Sequence, residues 1–350
     1  VIGFLDETRN VWAESGIASR YLRARLEWNA LADVDAIVGD FYSQWYGPAS
    51  KAMRAFYEAL EDEIEKTPMH GHEDRILPEV YSTDLMAALS RHLAEAEKLA
   101  QTEAQALHVR ADRLIFEHLK AYVAMSAAEA AGDFAEAAKH AQAMLDLRTP
   151  LHQINPFFIW PDEAGYHSGI WYWGVTARRD YYQSLADMTT GKTGDRVALL
   201  PDRASFRTDP HEDGIFARWF ALNISQEGWR PIQVTRPYYC QGYEDAQGHP
   251  YIGTLWYRFN VDVPALAKDR KVMIYAPVVE TEAWCWVNGE YVGHRPYQEA
   301  YIRPLQMEFD VTQAIRPGAA NQVTIRVSTS LMEAQASDGL FSRVFLYAPK

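Results

Sequence analysis

The sequence predicts an α+β chain in which helices come first and a β-sandwich follows. Three observations carry this. From Thr8 to Thr149 apolar residues recur at helical spacing between capping and breaking residues. From Val197 onward, short alternating runs separated by turn residues take over. Within that second half, Asn288-Gly289 stands between two alternating segments, which is the pattern of a tight hairpin. At 350 residues the chain suits two domains, each large enough to bury its own core.

Taken in order, Val1-Ile-Gly-Phe-Leu5 is a short apolar run ending in Asp6-Glu7, with a helix expected directly after it. An apolar strand, carboxylates at its end and then a helix is how a strand of a parallel (β/α)8 barrel brings catalytic groups to the rim. Residues 1–7 therefore read as the last strand of an otherwise absent barrel, since one parallel strand cannot form a sheet.

Val11, Ile17, Leu22, Leu26 and Trp28 then mark a broad apolar face. Asp33 caps a helix from Val34 to Tyr46, and Gly47-Pro48 separates it from another over Ala49 to Lys66. Thr83 is the capping candidate for Asp84 to Ala100, and Gly132-Asp133 breaks Glu103–Ala131 from Phe134–Leu147. The Ala-rich faces let antiparallel helices approach closely, so residues 8–190 read as an α-helical bundle of about five or six members. Residues 150–169 read as an irregular aromatic loop, Trp171 to Met188 as a helix and Thr189 to Gly194 as a linker. The second domain is expected over 195–350. Its strands include Thr254–Pro264, Lys271–Ala276, Trp284–Val287 and Gln322–Ser328, and on the first of these Trp256 and Arg258 alternate with Tyr257, one set facing the core and the other facing out.

Two resemblances give these elements a family context. Thr254-Leu-Trp-Tyr-Arg-Phe-Asn-Val-Asp-Val-Pro264, Ala283-Trp-Cys-Trp-Val-Asn-Gly-Glu-Tyr-Val-Gly-His294 and Phe309-Asp-Val-Thr312 resemble, in order and spacing, the sugar-binding jelly-roll domain of family 2 glycoside hydrolases. Asp338-Gly-Leu-Phe-Ser-Arg343 is similar to that family's closing G-G-I-x-R segment, with Asp in place of the first Gly. Tyr21-Leu-Arg-Ala-Arg-Leu-Glu-Trp-Asn29, Asp33-Val-Asp-Ala-Ile37 and Asp40-Phe-Tyr-Ser-Gln-Trp-Tyr-Gly-Pro-Ala49 resemble the helical region behind α-glucuronidase-like bacterial barrels, over residues 1–66 and less clearly to 190. Together they imply a helical bundle followed by an all-β jelly-roll sandwich. The chain is then the accessory C-terminal region of a polysaccharide-degrading glycoside hydrolase, with its catalytic barrel upstream in the same protein. By the same resemblance Arg258 pairs with a buried acid, the protein is bacterial, and it is secreted or periplasmic.

Composition excludes other classes. With 34 basic against 47 acidic residues and a net charge of -13, there is no clustered positive charge for nucleic acid. No apolar run reaches the roughly 18 residues of a membrane span. Two cysteines, Cys240 and Cys285, form one bridge or stay as two buried thiols; the sequence leaves both open. There is no Gly-x-Ser-x-Gly elbow, and Thr190-Gly-Lys-Thr-Gly194 lacks the first glycine of a phosphate loop, so no nucleotide cofactor is expected. His70-Gly-His72-Glu73-Asp74 has metal-ligand spacing but no second cluster, and it reads as a solvated loop. No metal ligand is assigned, although jelly-roll relatives often carry a structural calcium.

The aromatic content of 13%, with 11 Trp and 20 Tyr, suits a glycan partner, because pyranoses offer C–H faces to rings and hydroxyls to polar groups. It also suits a jelly-roll core. Carbohydrate contacts are expected from Trp229, Tyr238, Tyr239, Gln241 and Tyr243 before the Trp-Tyr-Arg strand, and from His294, Tyr297 and Tyr301 after the hairpin. Glycoside hydrolysis needs two carboxyl groups about 5 to 9.5 Å apart. Glu7 is the one catalytic candidate, as a single carboxylate of a complete barrel or as an acid favouring a helix start. The chain by itself is not expected to hydrolyse glycosides. A stand-alone carbohydrate-binding protein and a non-binding scaffold are the competing readings.

Overall fold

The computed structural model describes residues 16–67, 80–159, 175–244, 247, 249–267, 270–298, 305–330 and 339–350. The strand expected at Val1–Leu5, Glu7, the His70–Asp74 loop and Tyr301 lie outside the described residues. The chain is α+β, with helices followed by antiparallel strands. It divides into two compact units, one of residues 1–68, 78–124 and 139–167, the other of residues 69–77, 125–138 and 168–350.

In the first unit, α1 (Ile17–Trp28), α2 (Val34–Tyr46) and α3 (Ser50–Lys66) are followed by α4 (Thr83–Leu99) and the start of α5 (Glu103–Ala131). Asp33 caps α2 as its position implies, its Oδ1 accepting from the Ala36 N–H at 3.1 Å. The cap of α4 is Ser82 rather than Thr83: the Ser82 hydroxyl accepts from the Leu85 N–H at 3.1 Å, which makes Thr83 the first helical residue. Tyr46, Met53, Leu89 and Leu93 are fully buried in one core. The apolar face expected along α1 is only partly used. Ile17 and Tyr21 pack against that core, while Trp28 is 93% exposed.

After α6 (Phe134–Asp146), α7 (Arg148–Ile154) occupies the start of the stretch expected to be irregular. Pro150 stands in its first turn, where no intrahelical bond needs the missing N–H.

The second unit holds α8 (Val175–Thr189) and ten strands: β1 (Gly194–Leu199), β2 (Arg203–Asp209), β3 (Arg230–Gln233), β4 (Thr254–Val263), β5 (Met273–Ala276), β6 (Thr281–Val287), β7 (Glu290–Gln298), β8 (Met307–Asp310), β9 (Ala319–Ser328) and β10 (Phe345–Pro349). They form a four-stranded sheet, β1-β10-β5-β8, and a six-stranded sheet, β3-β2-β4-β9-β6-β7. One face of each sheet shares a core. Leu255, Tyr257, Phe259 and Val261 of β4 meet Ile274, Ala276 and Leu346 of the other sheet there. Residues 125–138 close one side of this unit. Phe134 packs on Phe345 at 5.4 Å, and Arg343 and Arg196 donate to the Ala130 and Gly132 carbonyls at 2.9 and 3.0 Å. Cys240 and Cys285 are not joined by a disulfide, and burial pushes the Cys285 thiol up.

Candidate functional site

The outer face of the six-stranded sheet is where the outward half of the β4 alternation ends up. Trp256 and Arg258 do point away from the shared core, yet both are buried, at 0% and 7% exposure. The segment between β2 and β3 covers them. Asp209, at the end of β2, fixes that segment by accepting from the Asp213 and Gly214 N–H groups at 2.8 and 2.9 Å and from Trp256 Nε1 at 3.0 Å. Gly214 allows the close approach, because a Cβ there would stand 2.7 Å from both Trp256 and Asp209. Phe220 stacks on Trp286 at 5.2 Å, and Trp219 meets Trp256 edge-on at 5.9 Å.

Arg258 was expected to pair with a buried acid. It donates instead to the Trp219 carbonyl at 2.6 Å and to Gln322 Oε1 at 2.5 Å, and lies over Trp229 at 5.4 Å. Burial lowers the basicity of its guanidinium. A carbonyl and an amide satisfy the buried fork without a second buried charge.

This cover leaves Trp284 and His294, toward the β7 edge of the sheet, partly exposed. There the register sets a row across four strands, Trp256, Arg326, Trp284 and His294. The Arg326 guanidinium lies 4.1 Å from the Trp284 ring, and the His294 ring stacks on Trp284 at 4.8 Å and 12°. His294 Nε2 bonds Glu282 Oε1 at 2.7 Å, Arg326 donates to Glu212, and Thr254 donates to the other Glu212 oxygen. Ser328, opposite Glu282, shares a 2.8 Å bond with the exposed Ser330. The result is a rim of carboxylates, hydroxyls, a guanidinium and an imidazole around one indole, equipped to accept and donate to a hydroxyl-rich ligand.

Two strained residues hold this rim. Glu212 has φ 59° and Thr281 has φ 62°, and a β-branched residue in that region is a genuine outlier. Arg295 over-determines the second, donating to the Thr281 carbonyl at 2.8 Å and also to the Val279 carbonyl. Burial brings Arg295 down to about 10, with Glu280 and Glu282 opposing the drop, so it stays charged at neutral pH.

Of the residues expected to touch carbohydrate, His294 is on this rim, and Tyr297 lies half-buried further along the same strand. The group before β4 makes contacts within the fold. Tyr238 and Tyr239 are buried in the shared core, and the Tyr238 hydroxyl donates to the Tyr251 carbonyl at 2.6 Å. Gln241 ties a turn together, accepting from the Gln233 N–H and donating to the Gln233 carbonyl, both at 2.9 Å. Tyr243 packs edge-on to Phe206 at 4.5 Å, and Trp229 belongs to the cover beside Trp219 and Arg258. Tyr238 and Tyr243 pack on Phe206 of β2, which is four strand spacings from β7, about 19 Å.

Glu282, Trp284, Arg326 and Ser328 were missed. Their outward alternation with Ala283, Cys285, Ile325 and Val327 was a signal that could have found them. Glu212, in the irregular cover, gave none. Among the described residues no group of three or more His, Cys, Asp or Glu is placed to hold a metal ion.

No family model matches the chain. A β-galactosidase of Priestia megaterium is 28% identical over 170 residues, covering 41% of this chain and 16% of that protein. A β-galactosidase of Clostridium acetobutylicum is 39% identical over 137 residues, covering 36% of this chain and 15% of that one. The chain thus spans only 16% and 15% of the length of these curated relatives. Among solved structures, a β-glucuronidase from Ruminococcus gnavus in complex with D-glucuronic acid aligns with TM-score 0.38 at 17% identity, over 45% of this chain and 30% of that one.

Proposed function

We propose that this chain is an accessory region of a polysaccharide-degrading glycoside hydrolase. Its helical bundle buttresses a catalytic barrel upstream, and its jelly-roll sandwich binds carbohydrate or shapes the substrate cleft through the rim around Trp284. The observation that carries the reading is the rim itself, where an indole sits among paired polar groups on a backbone held in strained conformations. The partial similarity to β-galactosidases supports the class of partner, an oligosaccharide or polysaccharide. Hydrolysis by this chain alone is not part of the proposal. The bacterial origin and the secreted or periplasmic location belong to it by family resemblance.

Calorimetric titration of the intact chain with β-linked neutral and uronic-acid oligosaccharides tests the rim. Binding heat that falls at least about tenfold in affinity on His294→Ala and on Glu282→Gln supports it. No heat with any oligosaccharide, together with unchanged retention of both variants on immobilised polysaccharide, leaves the scaffold reading in its place.

A further inference from the structure

The sandwich carries a second concavity, at the other end of β7. There β7, the edge of the six-stranded sheet, and β8, the edge of the four-stranded sheet, run beside one another. At Gly293 they approach so closely that a Cβ would stand 2.2 Å from the Phe309 ring. Toward the Asn288–Gly289 turn the seam opens into a cavity of about 380 Å³, lined by Lys271, Glu290, Tyr291, Asp310, Thr312 and Gln313 among others. This volume is at the small end of the roughly 300–1,000 Å³ of small-molecule sites. It admits a sugar ring.

The lining has the parts of a pyranose site. Tyr291 tilts against Trp286 at 5.7 Å and 59° and keeps 57% of its surface exposed, which leaves a ring available for C–H faces. Around it stand an ammonium donor, an amide and two carboxylate acceptors. Lys271 and Asp310 are 3.7 Å apart, too long to use up either group. Asp310 is fixed from behind, its Oδ1 accepting from the Thr312 hydroxyl at 2.6 Å and the Thr312 N–H at 2.9 Å. These bonds and Lys271 hold its carboxyl below the usual carboxylate range, so it is an acceptor at neutral pH.

We propose that this seam is a binding site for a neutral pyranoside, with Tyr291 as its platform and Lys271, Glu290, Asp310 and Gln313 reading its hydroxyls. Charge sets the class. Two carboxylates face one ammonium, on a chain of net charge -13, so a uronate is disfavoured where a neutral hexoside or pentoside is not. The seam's lining shares no residue with the rim around Trp284.

The test is an NMR titration of the intact chain with methyl β-D-galactopyranoside, methyl β-D-glucopyranoside and methyl β-D-xylopyranoside, and with glucuronate as the anionic control, to ~10 mM for millimolar affinity. The expected result is a saturable shift of the Tyr291, Thr312 and Gln313 amides with at least one neutral sugar and none with glucuronate. At least about tenfold weaker binding is expected in Tyr291→Ala and in Lys271→Met. Both side chains are largely exposed, so the variants fold and an intact spectrum verifies it. Repeating the titration in His294→Ala separates the two sites, because shifts at the seam persist there even if the rim has lost its ligand. Absence of these shifts for every neutral sugar, or unchanged affinity in Tyr291→Ala, overturns the seam site. Shifts confined to Glu282, Trp284 and Arg326 also overturn it, while leaving the rim standing.

Discussion

Two buried titratable side chains on α5 pull the stability of the first unit in opposite directions. Asp112 is 1% exposed and accepts from the Tyr46 hydroxyl at 2.8 Å and from the Tyr57 hydroxyl. Burial outweighs both bonds and raises its carboxyl from 3.8 to about 7. Burial, with Arg148 adding to it, lowers His118 from 6.5 to about 3. An acid raised in the folded state stabilises fully below its unfolded value, and that contribution is lost as pH climbs toward 7. A histidine depressed in the folded state does the reverse, contributing fully above 6.5 and losing as pH falls toward 3. Between pH 4 and 6.5 the two slopes cancel. Asp112→Asn removes one of them while keeping a group that can bond both tyrosines. The wild-type unfolding free energy of this unit is therefore expected to change little over that window. That of the variant is expected to rise with pH by up to roughly 3 kcal/mol. Urea titrations at pH 4.5, 5.5 and 6.5 check this, and parallel curves for the two proteins would refute the assignment. Neither residue could be read this way from the sequence, because Asp112 and His118 look like any other polar pair on a helix until Tyr46, Tyr57 and Arg148 are brought to them.

At the level of elements, legibility follows locality. The limits of α2, α3 and α5 were readable because caps, glycine and periodicity are all set by near neighbours. The Asn288–Gly289 hairpin was readable for the same reason: both residues have positive φ, 52° and 85°, as a type I′ turn demands. What the pattern did not disclose is that Asn288 is buried and works outside the turn. Its amide nitrogen donates to the Ala314 carbonyl at 2.8 Å and to Asn321 Oδ1 at 2.7 Å, and its oxygen accepts from the Gln322 N–H at 3.0 Å. The hairpin is thus bolted to β9 and to the connection before it. Asn288→Ala strands a buried carbonyl and N–H and adds the strain of a positive φ, so a loss of about 3 kcal/mol is expected. Asn288→Asp keeps the acceptor and tolerates the positive φ, but its second oxygen faces the Ala314 carbonyl and Asn321 Oδ1 in place of a donor, so it is expected to lose as much as Asn288→Ala. Denaturation midpoints of the two variants decide it, and an Asn288→Asp protein as stable as the wild type would mean the turn geometry alone matters. The cover over Trp256 and Arg258 was illegible for the converse reason. Its hold comes from Asp209, Gly214 and Gln322, contacts between distant residues on a segment with no period of its own.

At the scale of the whole molecule, the compact units do not follow a single cut in the chain. The change from helical to alternating pattern near residue 194 is real, since β1 begins at Gly194. The second unit nevertheless takes residues 125–138 as well. The reason is chemical: Phe134 covers Phe345, the Tyr182 hydroxyl donates to Glu129 at 2.6 Å, and Arg343 divides its guanidinium between the Ala130 and Leu200 carbonyls. Periodicity assigns those residues to the helices on either side of Gly132, and nothing local shows that their partners lie some 50 to 210 positions further on. A fragment of residues 175–350 keeps α8 and both sheets but exposes Phe345, and it leaves Arg343 and Arg196 without the carbonyls of Ala130 and Gly132. A fragment of residues 125–350 keeps them. The shorter fragment is expected to be less stable by roughly 3 kcal/mol or more, from one uncovered aromatic and the lost charged hydrogen bonds. Urea unfolding followed by tryptophan fluorescence measures the difference. If both fragments unfold at the same midpoint, residues 125–138 merely rest on the sandwich and the boundary near 194 is the energetic one. If the shorter is weaker, the sandwich is completed by a helical turn drawn from the first half of the chain. Any transplant of the rim or the seam into another protein then has to carry that turn with it.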